Sequence, residues 1–170
     1  LIHAAMGLGP AAQRAIRSLQ RTWTKGGVGE LQVALAGAGD LAALPELPPP
    51  LGASAARLVG DSRVWRSLTP FVAPRHLKRS GRNSLSGQVR AELASRGLPE
   101  PLAVEVLPVN VVPGVFRHFV RRRGRGGPPP PVDAGHCLRI TFATPLPGII
   151  ALGYGSHFGL GLFAAEPSDP

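Results

Sequence analysis

Glycine, proline and arginine interrupt every apolar stretch of this chain, so none reaches the roughly eighteen residues that a membrane-spanning helix requires. Short elements joined by loops are what such punctuation permits. With 22 glycines and 19 prolines in 170 residues the composition approaches that of low-complexity disorder, yet 44 % of the residues are hydrophobic. That is enough apolar material for a buried core, which a disordered polycation lacks. One or two compact domains are expected. A single cysteine, Cys137, excludes a disulfide framework and a cysteine-rich zinc site, and a reducing, cytoplasmic setting follows as the expectation. The chain starts at Leu1 and shows no secretory leader pattern, which reads as a piece of a larger protein.

The formal charge of +9 is concentrated rather than spread. Arg75, Lys78, Arg79, Arg82, Arg90, Arg96, Arg117, Arg121, Arg122, Arg123 and Arg125 face only Glu92, Glu100 and Glu105 between positions 70 and 125. Two clusters stand out, one from Arg75 to Arg82 and one from Arg117 to Arg125. As a set they point to a polyanion partner, although high genomic GC content would also enrich arginine.

Apolar residues at Ala11, Ala12, Ala15, Ile16, Leu19 and Trp23, with Pro10 in the first turn, predict an amphipathic helix ended by Gly26-Gly27. A short strand is expected over 31–36, and the proline-rich 45–50 stretch reads as an extended linker or loop. These place a partial first segment at 1–60 and a main domain at 61–170. In the main domain a strand over 64–72 is broken by Pro70, and a helix over 86–96 follows, with Ser84 or Ser86 as N-cap, Val89 and Leu93 on one face, and Gly97 closing it. Strands are expected over 102–107, over 115–123 and over 136–142. In the last of these Leu138, Ile140 and Phe142 share a face with His136, opposite Cys137, Arg139 and Thr141. This order is most of a βαββαβ ferredoxin-like unit, α+β in class, whose uncovered sheet face, flanked by arginine, is a familiar RNA platform. Only Phe116 and Phe119 lie on suitable strands, so the aromatic pair of an RRM is not evident.

The segment from Pro147 to Phe163 carries glycines at 148, 153, 155, 159 and 161. Its spacing fits neither a Walker loop nor a Rossmann turn. Such a loop allows positive φ and close backbone approach, and can offer N–H groups to a phosphate, with Gly153, Gly155, Ser156 and Gly159 as the candidates. A plain glycine-rich hairpin is the alternative.

Gly153-Tyr154-Gly155-Ser156-His157-Phe158-Gly159-Leu160-Gly161-Leu162-Phe163, taken with Ser67-Leu68-Thr69-Pro70-Phe71-Val72-Ala73-Pro74-Arg75-His76, resembles the RAMP proteins of CRISPR systems. More specifically it is similar to the Cas-six-type CRISPR RNA endoribonucleases and to the second half of the Cas-five/Cas-six fusion subunit of type I-G systems. The motifs span mainly residues 63–165. The resemblance implies binding of a CRISPR repeat in precursor RNA, company with other type I effector-complex subunits, and one metal-independent cut without a cofactor. In that reaction a 2′-OH attacks the adjacent phosphate, leaving a 2′,3′-cyclic phosphate and a 5′-OH, so a base, an acid and charge-stabilising cations are needed. Histidine suits the first two roles because its pKa is ordinarily about 6.5. His76, among Arg75, Lys78 and Arg79, is the first catalytic candidate; His157, beside Tyr154 and Ser156, is the second, and Tyr154 completes the set. His118 reads as a strand-face or RNA-contact residue and His136 as a core or edge residue. The competing readings are a RAMP subunit that grips crRNA without cutting it, and a basic structural protein that binds RNA indiscriminately. No carboxylate pair or His-x₃-His helix recommends metal catalysis, and no membrane partner is expected.

Overall fold

The computed structural model describes residues 2–4, 6–24, 29–108, 131–132 and 134–166. The expected strand over 115–123, with Phe116, Arg117, His118, Phe119, Arg121, Arg122 and Arg123, and Arg125 beyond it, lie outside the described residues, as does Gly26-Gly27. The chain is mixed α+β and divides into two units, Leu1–Asp40 and Leu41–Pro170.

In the first unit, α1 (Pro10–Ser18) starts with proline in its first turn, where the missing N–H costs nothing, and Gln13 Nε2 donates to the Leu8 carbonyl at 2.7 Å. The helix ends earlier than its apolar spacing suggests. Leu19 is already extended, and β1 (Arg21–Thr24) pairs antiparallel with β2 (Gly29–Gln32). Trp23 therefore belongs to a strand, opposite Glu30, and not to the helix face. Its β-branched neighbours Thr22 and Thr24 favour that extended backbone. No described residue of this unit is buried.

The second unit contains the core. Of the two readings of 45–50, the loop holds for 47–50, which are bend and turn, while Pro45 and Glu46 end a 3₁₀ turn over Leu41–Glu46 that packs on α2 (Leu51–Val59), and α2 packs on the last strand of the sheet. Residues 41–60 thus fold with the second unit. Four strands, β3 (Ser62–Ser67), β5 (Ala103–Val106), β7 (Leu138–Leu146) and β8 (Phe163–Ala165), form one antiparallel sheet in the order β5-β7-β3-β8. Trp65 on β3 is opposite both Ile140 and Ala165, and Val104 on β5 is opposite Ile140, so apolar side chains from all four strands share one face. Trp65, Leu138, Ile140, Phe142 and Phe163 from the sheet close on Val89 and Leu93 of α3 (Leu85–Ser95). The indole of Trp65 is buried without penalty because its Nε1 donates to the Ser62 carbonyl at 2.9 Å.

A separate two-stranded ribbon, β4 (Phe71–Val72) with β6 (Gly135–His136), borders this core, with Phe71 opposite His136. The expected single strand over 136–142 is thus two elements, and His136 stands on β6 rather than in line with Leu138. Burial lowers the pKa of His136, and its Nε2 is buried with no hydrogen-bond partner among the described residues. Below the ordinary value of about 6.5 the unfolded chain takes up a proton that the folded ring resists, so folding stability falls as the pH drops through that region. Urea unfolding at pH 7.5 and 5.5 is expected to show this loss in the parent, and a smaller loss in His136→Leu. An equal pH dependence in both would contradict the assignment.

Candidate nucleic-acid interface

Helix α3 organises the two segments that the sequence marks out. Ser84 caps it, its Oγ accepting from the Gly87 N–H at 3.0 Å. Val89 and Leu93 point into the core, while Gln88, Glu92 and Arg96 follow one another at intervals of four on an adjoining stripe.

Gln88 is fully buried and binds the basic segment by its backbone. Its Oε1 accepts from the Arg75 N–H at 3.0 Å, and its Nε2 donates to the carbonyls of Arg75 at 3.0 Å and Asn83 at 3.1 Å. The Lys78 N–H donates to the Asn83 carbonyl at 2.9 Å, and Leu77 packs against the core. These ties use main chain and one leucine, so the polar side chains turn outward. Arg75, His76, Lys78, Arg79 and Arg82 are all exposed. None of the four cations has a carboxylate partner among the described residues, whereas Arg66 and Arg139 share Glu166, Arg90 meets Glu100 and Arg96 meets Glu92.

Glu92 performs the corresponding task for the glycine-rich segment. Its Oε2 accepts from the Gly153 N–H at 3.0 Å and from Arg96 Nη1 at 2.9 Å, and Arg96 Nη2 reaches Ser156 Oγ at 3.5 Å. The two stretches quoted for the family resemblance are also joined to each other. Leu162 accepts from the Leu68 and Thr69 amides, Thr69 Oγ1 donates to the Gly159 carbonyl at 2.6 Å and accepts from the Leu162 N–H at 2.9 Å, Gly161 donates to Pro70, and Tyr154 donates to Val72.

These bonds change what the glycine segment offers a ligand. Sequence reasoning expects a cradle of backbone donors, but the amides of Gly153, Tyr154, Ser156, Phe158, Gly159, Leu160, Gly161 and Leu162 already donate within the protein. The reason is burial: Leu152, Leu160 and Phe163 are in the interior, and backbone that accompanies them must find its partners there. Of the four glycine-segment candidates, Gly153 is buried, Gly155 and Ser156 are half-buried, and Gly159 is exposed. The segment presents side chains instead, at a turn over Ser156–Phe158 bracketed by Gly155 and Gly159, both with positive φ. His157 and Phe158 are exposed there, and Tyr154 is half-buried.

His76 and His157 therefore sit on two loops tied to one helix, and no hydrogen bond orients either imidazole among the described residues. Gln88, Glu92, Thr69 and Phe158 were not evident as site residues from sequence. The first two carried a faint signal, polar residues at helical spacing beside Val89 and Leu93. On the sheet face opposite the core, Arg66 lies directly across from Arg139, and Glu166 balances them at 3.8 Å and 3.0 Å. Two like charges in register are costly without that carboxylate, so this face is less available to an anion than the basic loop. The described residues contain no group of three or more histidine, cysteine or carboxylate side chains placed to hold a metal ion, and none of their helices is long and apolar enough to cross a membrane. No family model, curated protein or solved structure matches the chain.

Proposed function

We propose that the second unit binds RNA through the loop from Arg75 to Arg82, as an RAMP-type domain acting on CRISPR repeat RNA in a cytoplasmic type I effector complex. The observation that carries the reading is the set of four exposed, carboxylate-free cations held on a backbone that Gln88 fixes. Long, pre-positioned basic side chains with no internal counter-charge are what phosphate binding requires, and their ordering is supplied by the fold rather than by the ligand. Strand order supports a ferredoxin-like reading of the architecture. Antiparallel pairing in the order β5-β7-β3-β8 makes β3 and β5 parallel with β7 between them, and β7 and β8 parallel with β3 between them. Two interleaved split units give that order. The connection from β7 to β8 is the glycine-rich segment, where a regular unit has its second helix.

A second reading, cleavage, is favoured by the exposure of His76 and His157 on loops anchored to the same helix. One imidazole would take the proton of the 2′-OH as the new 2′-O–P bond forms. The other would protonate the 5′-oxygen as the P–O5′ bond breaks. Incubating labelled repeat RNA with the chain in EDTA tests both readings at once. Repeat RNA bound in preference to unrelated hairpins supports the proposal, and indiscriminate binding returns the chain to a general basic RNA-binding protein. If cleavage occurs, His76→Ala or His157→Ala is expected to slow the single-turnover rate about 10²- to 10⁴-fold with affinity unchanged. Intact RNA in the bound state would reject the nuclease reading and leave the binding subunit.

A further inference from the structure

We infer that Phe158 is a stacking platform for one unpaired base of the RNA, a deepening that rests on the RNA-binding reading above. Phe158 is 65 % exposed, while Trp65, Phe71, Phe142 and Phe163 of the same unit are at most 1 % exposed. The second unit thus buries those four rings completely and leaves Tyr154 half-buried, while Phe158 stays mostly exposed. Its position is determined from below. The Phe158 N–H donates to the Gly155 carbonyl at 2.8 Å, Gly155 and Gly159 supply the left-handed backbone on either side with φ of 71° and 88°, and Thr69 pins the Gly159 carbonyl. A residue whose backbone is fixed in this way gives up only its side-chain rotamer freedom when a flat partner covers the ring.

The surroundings specify the partner's chemistry. The turn Ser156–Phe158 carries no carboxylate, the exposed His157 precedes Phe158 in sequence, and Ser156 is in contact with Arg96, which is paired with Glu92. Along α3 the anchor of the basic loop, Gln88, is about 12 Å from Arg96 at about 1.5 Å per residue. Phosphate-binding cations and an exposed ring are therefore carried by one rigid support. A positively charged track combined with an aromatic face is the arrangement that holds single-stranded nucleic acid, since every base has a π-face to offer. A base paired inside a duplex cannot present that face, so Phe158 selects an unpaired nucleotide beside the gripped phosphates.

The test compares the full 170-residue chain with Phe158→Ala, Phe158→Leu and Phe158→Trp, using a short oligouridylate and a fully paired RNA duplex as probes. Alanine and leucine are both expected to weaken oligouridylate binding about 5- to 150-fold, with duplex binding unchanged, and tryptophan to retain it. The added tryptophan's emission should be quenched as oligouridylate is titrated in, measured against the parent. Parent-like affinity in Phe158→Ala or in Phe158→Leu, or an unquenched Phe158→Trp that still binds RNA, overturns the stacking role while the RNA-binding reading stands. A parent chain that binds neither probe overturns both.

Discussion

Replacing Arg75, Lys78, Arg79 and Arg82 together by glutamine is expected to remove most of the chain's affinity for single-stranded RNA while leaving its folding stability nearly intact. Each phosphate contact on a single strand contributes about 0.7 to the slope of log K against log salt, so four lost contacts flatten the slope by about 2.8. At about 0.1 M salt that corresponds to a loss of roughly 10²- to 10³-fold. Stability should hold because the loop is fastened by the Gln88 amide, the Lys78 to Asn83 backbone bond and the Leu77 side chain, none of which the substitutions touch. Exposed side chains without ion-pair partners change stability by about 0.5 kcal/mol or less each. Fluorescence anisotropy across a salt series measures the slope, and an unchanged slope would mean that this loop faces solvent and that RNA binds elsewhere. The fourfold glutamine variant also separates charge from shape: the loop keeps its backbone and reach, and loses only its cations.

Gly161→Ala is expected to cost more than about 4 kcal/mol, the range in which single substitutions signal a specific structural failure. Two penalties coincide at this position. Gly161 has φ of 59°, and a Cβ there would land on the Leu152 carbonyl oxygen. That oxygen is backbone and cannot move alone, because the Leu152 N–H donates to the Gly161 carbonyl at 2.9 Å and Ala151 pairs with Leu162 alongside. Gly161 also donates to the Pro70 carbonyl at 2.8 Å, so a displaced backbone would release the glycine segment from the residue that leads into β4. Gly159→Ala is the matched control. It shares the positive φ, at 88°, but a Cβ there meets nothing within 4 Å, so only the conformational penalty of about 1–2 kcal/mol applies. Urea unfolding of the two variants beside the parent measures the difference. Equal losses at 159 and 161 would show that the close approach at 161 relaxes without cost.

Local signals explain which elements could be read in advance. Helix α3 was legible because Ser84, the Val89 and Leu93 spacing, and Gly97 all agree, and the structure places it within one residue of the expected limits. The inward Leu138, Ile140 and Phe142 of β7 were legible from alternation for the same reason. Helix α2 was hidden by the prolines before it and by Gly52 within it, a glycine whose missing Cβ makes room for the carbonyls of Pro45 and Leu47. Trp23 was misplaced because it continues the apolar spacing of α1 across a strand too short to show its own period. In the candidate interface the cations of the basic loop could be named from sequence, and their outward direction follows from backbone ties that composition does not reveal. Whether the glycine segment offers amides or side chains was not legible at all. That depends on Pro70, Val72, Thr69 and Glu92, acceptors 61 to 93 residues away in the chain.

The stripe of Gln88, Glu92 and Arg96 places a different kind of limit on how this protein can change over time. Each residue of an α-helix advances the face by about 100°, so one residue inserted or deleted between Gln88 and Glu92 would turn one anchor away from its loop while the other kept its hold. Point substitutions along the exposed side of α3 preserve that phase; length changes inside it do not. Insertions at the tips of the two loops, beyond their anchors, leave the phase untouched. Descendants of this chain are thus free to acquire longer or differently charged loops, provided the interval of four between these anchors is inherited intact.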